Sequence, residues 1–419
     1  MLKKYFSYLI FACTLAACNI NTRDNRYRGF ESNLEVNKIA ALPASTNVKI
    51  KDFTIPVPDS LTFDYNKELK DVRFVKLETL PESKFPTLGK IILSPSRIII
   101  VDFLETKSVY IFDSTGHFVN RISANKGLAS KKAMISGFLD VAYDFKKEQI
   151  ILHDQAKAKS YFFDKDGNFV GASKEYIYFY RLTNLENSDL YVYFNPYGGN
   201  EHVPALKGSS LYLGGRDTKV NYTTKSAVPG MIADQDFDIN INVSLSNSNK
   251  HLLFTPEFSD TVYMISDNPV KISPVLTIHY PGPNINAKLR ELNKFDITSY
   301  LKLYNKNQYY SFKGEVMCND DSIYYIATYK DQFNGYFYSA KTGNVKGGNL
   351  LTSLSNKDSA KLDGFKYPVS TFNDEFVSIL TYEDFQLNKF LASTKLASVT
   401  RTLKKTDNPV LIFYKFKDF

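Results

Sequence analysis

The eight residues FDSTGHFV (Phe112–Val119) recur 51 residues later as FDKDGNFV (Phe163–Val170). In each copy an apolar aromatic run ends in Asp, two small or polar residues follow, then Gly, and a second apolar run begins. That pattern predicts a tight β-hairpin, because Asp caps its own backbone there and Gly tolerates the positive φ such turns demand. The match extends upstream, where RIIIVD (Arg97–Asp102) precedes the first copy and QIILHD (Gln149–Asp154) the second. The repeated unit is therefore larger than a hairpin. The first unit gives four short β-rich runs, GKIILS, RIIIVD, SVYIFD and HFVNRIS; the second gives FLDVAYDF, QIILHD, SYFFD and NFVGAS. Four antiparallel strands repeating at this spacing predict a propeller blade, since one such sheet cannot bury both of its faces alone.

Fainter copies follow. IYFYRLTN, DLYVYFNP, SSLYLGG and TKVNYTT read as blade three; ININVSLS, HLLFTP, TVYMIS and VLTIHY as blade four; GEVMC, SIYYIATYK, GYFYSAKTG and NVKGG as blade five. A sixth blade combines FKYPVSTF, EFVSILTY and VLIFYKFK (Val410–Lys417) with VRFVKLE (Val72–Glu78) from the start, which joins the two ends of the chain in one sheet and removes the exposed edge at the seam. The expected fold is all-β, a six-bladed β-propeller of four-stranded antiparallel blades over residues 71–419 with two helical insertions. The first insertion runs from Ile285 to Tyr304, where apolar residues keep helical spacing after PGPN; the second runs from Glu383 to Lys405 and stops at Asp407-Asn408-Pro409. Trp is absent, which excludes WD repeats. The paired glycines at 198–199, 214–215 and 347–348 do not recur at blade spacing and read as turns.

The N-terminus gives an address. MLKKYFSYLIFACTLAACN has two lysines, an apolar stretch too short to span a bilayer, and small residues before Cys18. Residues 1–17 read as a signal peptide, and Leu15-Ala16-Ala17-Cys18 resembles a bacterial lipobox, with Cys18 lipidated as the first mature residue. Several acyl chains on one residue make a lasting anchor. Residues 18–70 read as a lipidated tether and lead-in, of which FTIPVPDSLTF lies against the propeller. Cys13 leaves with the signal and Cys18 takes lipid, so Cys318 is expected as a buried small hydrophobe.

The sequence carries no G-x-S-x-G, H-E-x-x-H, C-x-x-C, Walker or dinucleotide pattern. Asp164, Asp166 and Gly167 open like a calcium loop, but the closing acidic residue is missing and the flanks are strands, so they read as a turn. His117, His153, His202, His251 and His279 are scattered and read as structural. No metal site and no cofactor is expected. The net charge of +8 is spread without a basic stripe, which argues against nucleic acid. The loop NPYGGNEH supplies the ligand-binding candidates: Tyr197 to stack on a sugar, with His202 beside it.

These segments together resemble the six-bladed β-propeller lipoproteins of Bacteroidetes, related in fold to the NHL and TolB-like propellers. The resemblance rests on VKLET (Val75–Thr79), IIIVD with FDSTGHFV, DFKKEQIILHD with FDKDGNFV, FSDTVYMI (Phe258–Ile265) and the ending DNPVLIFYKFK. Family members carry a G-x-G-P-G-E-aromatic loop after the first phrase; here ANKGLASKKAMISGF (Ala124–Phe138) retains Gly127 and little else. The resemblance implies an envelope protein with a binding role. Three readings stand: a module binding a glycan, peptide or partner protein, which is favoured; a calcium-dependent propeller hydrolase; and a non-catalytic envelope scaffold. The membrane partner acts through lipid on Cys18, at the periplasmic or the surface face of the outer membrane.

Overall fold

The structure, a computed structural model, describes Tyr27 and residues 34–45, 50–56 and 69–419, apart from 125–134, 136, 186–187, 196–198, 201, 208, 225–244, 249–250, 257–258, 295–296, 320–321, 331, 350–367 and 384–401. Two short strands, β1 (Ala40–Ala41) and β2 (Lys51–Thr54), and a long one, β3 (Leu69–Lys76), precede the blades. Blade one is β4 (Lys90–Leu93), β5 (Arg97–Asp102), β6 (Ser108–Asp113) and β7 (Phe118–Ser123). Blade two is β8 (Asp140–Asp144), β9 (Gln149–Asp154), β10 (Lys159–Asp164) and β11 (Phe169–Lys174). Blade three is β12 (Arg181–Asn184), β13 (Tyr191–Phe194), β14 (Leu211–Gly214) and β15 (Val220–Thr223). Blade four is β16 (Leu245–Ser248), β17 (His251–Phe254), β18 (Thr261–Asp267) and β19 (Val270–His279). Blade five is β20 (Ser311–Cys318), β21 (Ser322–Tyr329), β22 (Gln332–Ser339) and β23 (Val345–Asn349). Blade six takes β24 (Ser370–Phe372), β25 (Glu375–Leu380) and β26 (Val410–Phe416), and β3 joins β26 to finish it. The closing pair sets Leu411 opposite Val75 and Phe413 opposite Arg73. The six blades and their seam thus fall on the runs the repeat predicts.

Alternation explains why these strands are apolar throughout. Ile99 and Val101 point into a core shared with Val141, Tyr143 and Leu152 of blade two, while Ile98 and Ile100 point into another shared with Val377, Leu411 and Phe413 of blade six. Val192 and Phe194 likewise face blade four, and Tyr191 and Tyr193 face blade two. Each junction between blades is a separate hydrophobic core, so each sheet buries both faces only when the ring is complete.

The repeated phrase is a repeated hairpin. In the first copy Asp113 N–H donates to the His117 carbonyl, Gly116 N–H donates to the Asp113 carbonyl, and the Asp113 carboxylate accepts from Thr115 N–H and His117 N–H. In the second, Asp164 N–H donates to the Asn168 carbonyl, Gly167 N–H to the Asp164 carbonyl, and the Asp164 carboxylate accepts from Asp166 N–H and Asn168 N–H. A bulge interrupts each ladder one step before its hairpin, at Ile111/Phe112 and at Phe162/Phe163. Gly116 and Gly167 hold φ of +95° and +84°, where a side chain is strained. Each hairpin also leans on the blade before it. Gly116 accepts from Glu78 N–H (2.8 Å), beyond the end of β3, and the Asp166 carbonyl accepts from Asn120 Nδ2 of blade one (2.8 Å).

Strand alternation sorts the connections between two faces of the ring. The turns from first to second and from third to fourth strand of a blade lie on one face, and none exceeds six residues. The links from second to third strand and from blade to blade join strand ends on the other, and the longest run over residues 77–89, 124–139, 195–210, 224–244, 280–310, 350–369 and 381–409. The first strands line the axis, where β8 approaches β12, β24 approaches β4, and β16 approaches both β20 and β24.

The segment 280–310 holds two helices, α1 (Ile285–Leu292) and α2 (Ile297–Tyr304), where the sequence reading had one helical run. Asn284 caps α1 by accepting from Ala287 N–H (2.7 Å), and Asn293, at φ +48°, ends it. Ile285, Leu289, Tyr300 and Leu303 pack together between them. Most of the second expected insertion, Glu383 to Lys405, lies outside the described residues. Gly347 and Gly348 correct another expectation: they lie inside β23, not in a turn. A Cβ at Gly347 would stand 2.1 Å from the Gly335 carbonyl oxygen, so closeness of the strands is what selects glycine there. Cys318 is half-buried at the end of β20, less enclosed than expected.

The lead-in is also more ordered than a tether with one packed end. β1 adds in parallel to β15, and β2 in parallel to β19, so blades three and four each have five strands. Leu34, Val36 and Ile39 pack on the junction of blades two and three, and Tyr27 is wholly buried against Ala158 and Tyr178. The chain therefore crosses the outside of the ring, pairing strand edges that would otherwise stay open.

Candidate functional site

Lys90, Asp140 and Arg181 are the first residues of β4, β8 and β12, at the mouth of the axis on the long-connection face. Lys90 Nζ donates to Asp140 Oδ1 (2.8 Å) and to the Val141 carbonyl (2.7 Å), while Asp140 Oδ2 accepts from Leu182 N–H (2.7 Å). One carboxylate thereby ties three adjacent blades at the rim. The Lys90 side chain keeps 32% of its surface in solvent, so the ion pair stands open at the mouth.

Behind the rim lies a buried ion pair. His153 Nδ1 stands 2.7 Å from Glu175 Oε1, and Nε2 stands 3.0 Å from the Phe179 carbonyl. Both ring nitrogens face acceptors, so both carry protons and the ring is an imidazolium. Burial pulls the His153 pKa down, but the Glu175 carboxylate, with Asp140 and the Phe179 carbonyl, outweighs burial and holds it above the ordinary histidine value. Ser160 Oγ also donates to Glu175 Oε1 (2.8 Å), and the His153 ring stacks on Phe179 at 3.9 Å. Glu175 Oε2 is buried without a hydrogen-bond partner among the described residues.

Asp102, at the end of β5, organises the loop 103–107 on the same face. Its carboxylate accepts from Leu104 N–H, Glu105 N–H and Thr106 N–H and from the hydroxyls of Thr87 and Thr106. Burial alone would raise its pKa; the bonds from Thr87, Thr106 and Glu105 outweigh that and hold it at about 2. Asp154 repeats the position in blade two and accepts from Lys157 N–H. The Asp that ends both RIIIVD and QIILHD is thus a loop cap.

Of the ligand-binding candidates, Tyr197 lies outside the described residues. His202 is half-buried, and its Nε2–H donates to the Tyr176 carbonyl (2.8 Å) while Tyr27 stacks on its ring at 5.5 Å. The face of His202 that could meet a sugar meets the chain's own lead-in. Cys18 and most of the loop 124–138 lie outside the described residues. Asp164, Asp166 and Gly167 form the hairpin turn, and Asp166 accepts from Arg97 Nε of blade one (2.9 Å). His117 belongs to the other hairpin, and His279 Nε2 lies 2.7 Å from Asp52 of β2. Among the described residues no three His, Cys, Asp or Glu side chains converge as a metal requires, and no helix is long and apolar enough to cross a membrane.

The sequence reading missed the His153–Glu175 pair, although the repeat contains its signal. Superposing the two units places His153 on Val101 and Glu175 on Ala124, both apolar core residues in blade one. A matched pair of apolar positions turned ionic together marks the contact.

The fold and its faces define a class: a six-bladed propeller, closed by both ends of the chain, with one plain face and one elaborated face. The chain belongs to the family described as Domain of unknown function (DUF4934), which matches residues 53–415. Among solved structures it is similar to a Bacteroides fragilis protein described as exported, with TM-score 0.64 and 16% identity over 88% of this chain and 100% of that one. A member of the DUF4221 family from Bacteroides vulgatus aligns with TM-score 0.46 and 12% identity over 83% of this chain and 97% of that one. No curated protein matches the chain.

Proposed function

We propose that the chain is an exported lipoprotein, anchored through Cys18, whose propeller binds a glycan, peptide or partner protein at its long-connection face. The observation that carries this is the asymmetry of the ring. Among the links between blade strands, every one longer than six residues joins strand ends on one face, where variable loops cost the fold little and can shape a site, while the links joining strand ends on the opposite face have six residues or fewer. The signal-like N-terminus ending in Leu-Ala-Ala-Cys supports export and anchoring, as does the exported description of the Bacteroides fragilis protein.

A ligand that binds only the folded state raises its melting temperature. A thermal-shift screen of the chain against glycans and peptides should therefore find a stabilising class. That shift should shrink in Lys90→Ala, at the mouth, and persist in Lys165→Ala, in a tight turn on the opposite face. A ligand whose shift survives Lys90→Ala but is lost in Lys165→Ala overturns the assignment of the face.

A further inference from the structure

We propose that the long-connection face also docks on the bilayer, seating apolar loop tips and lysines against an anionic phospholipid surface. This rests on the anchor reading above. Three observations converge on it.

The first is the exit point of the lead-in. Tyr27 is wholly buried among Ala158, Tyr178 and His202, all on long-face connections. Cys18 lies nine residues earlier, and nine extended residues span at most about 30 Å. Whatever holds Cys18 holds this face close by.

The second is where large apolar side chains meet solvent. Leu104, 75% exposed, stands on the second-to-third-strand loop of blade one; Leu292 and Leu301 project from α1 and α2; Phe333 follows the corresponding turn of blade five. These four lie on the long-connection face, on separate parts of its rim. Across the ring, Val119 and Val170 are the second residues of the outer strands β7 and β11, beside the tight turns, and Ile50 lies in the lead-in just ahead of β2. On the helices the division of labour is direct: Leu289, Tyr300 and Leu303 bury inward while Leu292 and Leu301 remain outside.

The third is charge. Lys107, Lys294, Lys302, Lys306 and Lys330 flank those apolar tips, are exposed, and form no ion pair among the described residues. Among the described residues Glu105 and Glu291 are the exposed carboxylates next to them in sequence, and Glu291 is tied to Lys288. On the opposite face four lysines stand in ion pairs, Lys146 with Asp189, Lys165 with Glu148, Lys219 with Asp217 and Lys341 with Asp418, while Lys70, exposed at the start of β3, is in none among the described residues. Apolar tips that enter the headgroup region between exposed lysines are the chemistry of interfacial binding to anionic lipid. In this arrangement the mouth at Lys90 opens toward the membrane, and a ligand reaching it is one presented at the bilayer surface.

The chain has no tryptophan, so Leu301→Trp, Leu292→Trp and Val170→Trp each create a lone fluorescent reporter. The full lipidated chain is reconstituted on phosphatidylglycerol-containing vesicles with brominated acyl chains. Leu301→Trp and Leu292→Trp should lose about half their emission, as expected at interfacial depth, and Val170→Trp should keep its own. Equal emission from all three on vesicles that carry the protein overturns docking and leaves the anchor standing. Emission changed by a soluble acidic polypeptide but not by vesicles overturns the bilayer in favour of a protein partner. Equal quenching on purely zwitterionic vesicles overturns the anionic surface. Flotation of Cys18→Ala as complete as that of the parent chain overturns the anchor, a result read separately from the quenching.

Discussion

Replacing Gly116 and Gly167 by alanine, one at a time, should damage the same hairpin phrase by different amounts. Both glycines sit at positive φ, +95° and +84°, where an L-residue costs about 1–2 kcal/mol. The surroundings then divide them. A Cβ at Gly116 would stand 2.3 Å from the Lys76 carbonyl oxygen, which is backbone of the closing strand β3. That strand must retreat, and it carries with it the Glu78 N–H bond to the Gly116 carbonyl and the Glu78 carboxylate that accepts from Phe118 N–H, both 2.8 Å. Two weakened bonds add about 1 kcal/mol each, for a total of about 3–4 kcal/mol. At Gly167 the nearest atoms are Ile111 Cδ1 at 2.8 Å and Asn120 Nδ2 at 3.0 Å, ends of side chains and not backbone. Displacing Asn120 weakens its one bond to the Asp166 carbonyl by about 1 kcal/mol, so with the backbone term of about 1–2 kcal/mol the cost is about 2–3 kcal/mol. Urea unfolding followed by far-ultraviolet circular dichroism measures both. Equal losses, or a larger loss at Gly167, refute the claim that the first hairpin is clamped by the seam.

Two further outcomes follow from the buried charges. The raised pKa of His153 means that the folded state holds a proton the unfolded chain has released. Its stabilisation is complete below the unfolded value of about 6.5 and fades as pH rises through the folded value. Melting temperatures measured upward from pH 6 should decline in the parent more steeply than in His153→Gln, and parallel slopes would exclude the imidazolium. Asp102→Ala removes the cap of loop 103–107 and should cost about 2–4 kcal/mol. Because the Asp102 pKa is depressed to about 2, its contribution in the parent is present above 3.8 and disappears as pH falls toward 2. Acid titration of the two proteins should converge there, and a constant gap down to pH 2 would show that the carboxylate is not the stabilising species.

Most of the ring was legible because the information is local. Each hairpin states its own turn chemistry, and Asp113, Gly116, Asp164 and Gly167 perform in the structure what their spacing predicts. The seam was legible because the first and last strands are strong β runs, and a ring leaves them one partner each. The lead-in was harder. β1 is two residues long, too short for any periodicity, and both lead-in strands are specified by open edges elsewhere in the fold. Gly347-Gly348 deceived because a glycine pair that lets two strands approach is indistinguishable, in sequence, from one that lets a chain turn. The break between α1 and α2 turned on Asn293 entering the left-handed region, which apolar spacing on either side conceals. At the candidate site the rim and buried pairs join residues of different strands, Lys90 with Asp140 and His153 with Glu175. His202 drew its partner, Tyr27, from the far end of the chain, and a motif has no means of expressing such a distance.

The seam between β26 and β3 fixes an order of events. The chain is made from its N-terminus, so β3 emerges early and waits for a partner that begins only at Val410. Throughout that interval the nascent protein is an open arc, with β3 unpaired at one end and the newest blade unfinished at the other. The last residues therefore act as a latch. A chain cut short before Val410 is a protein that never closed, with two adhesive edges left for a protease or a neighbour to find.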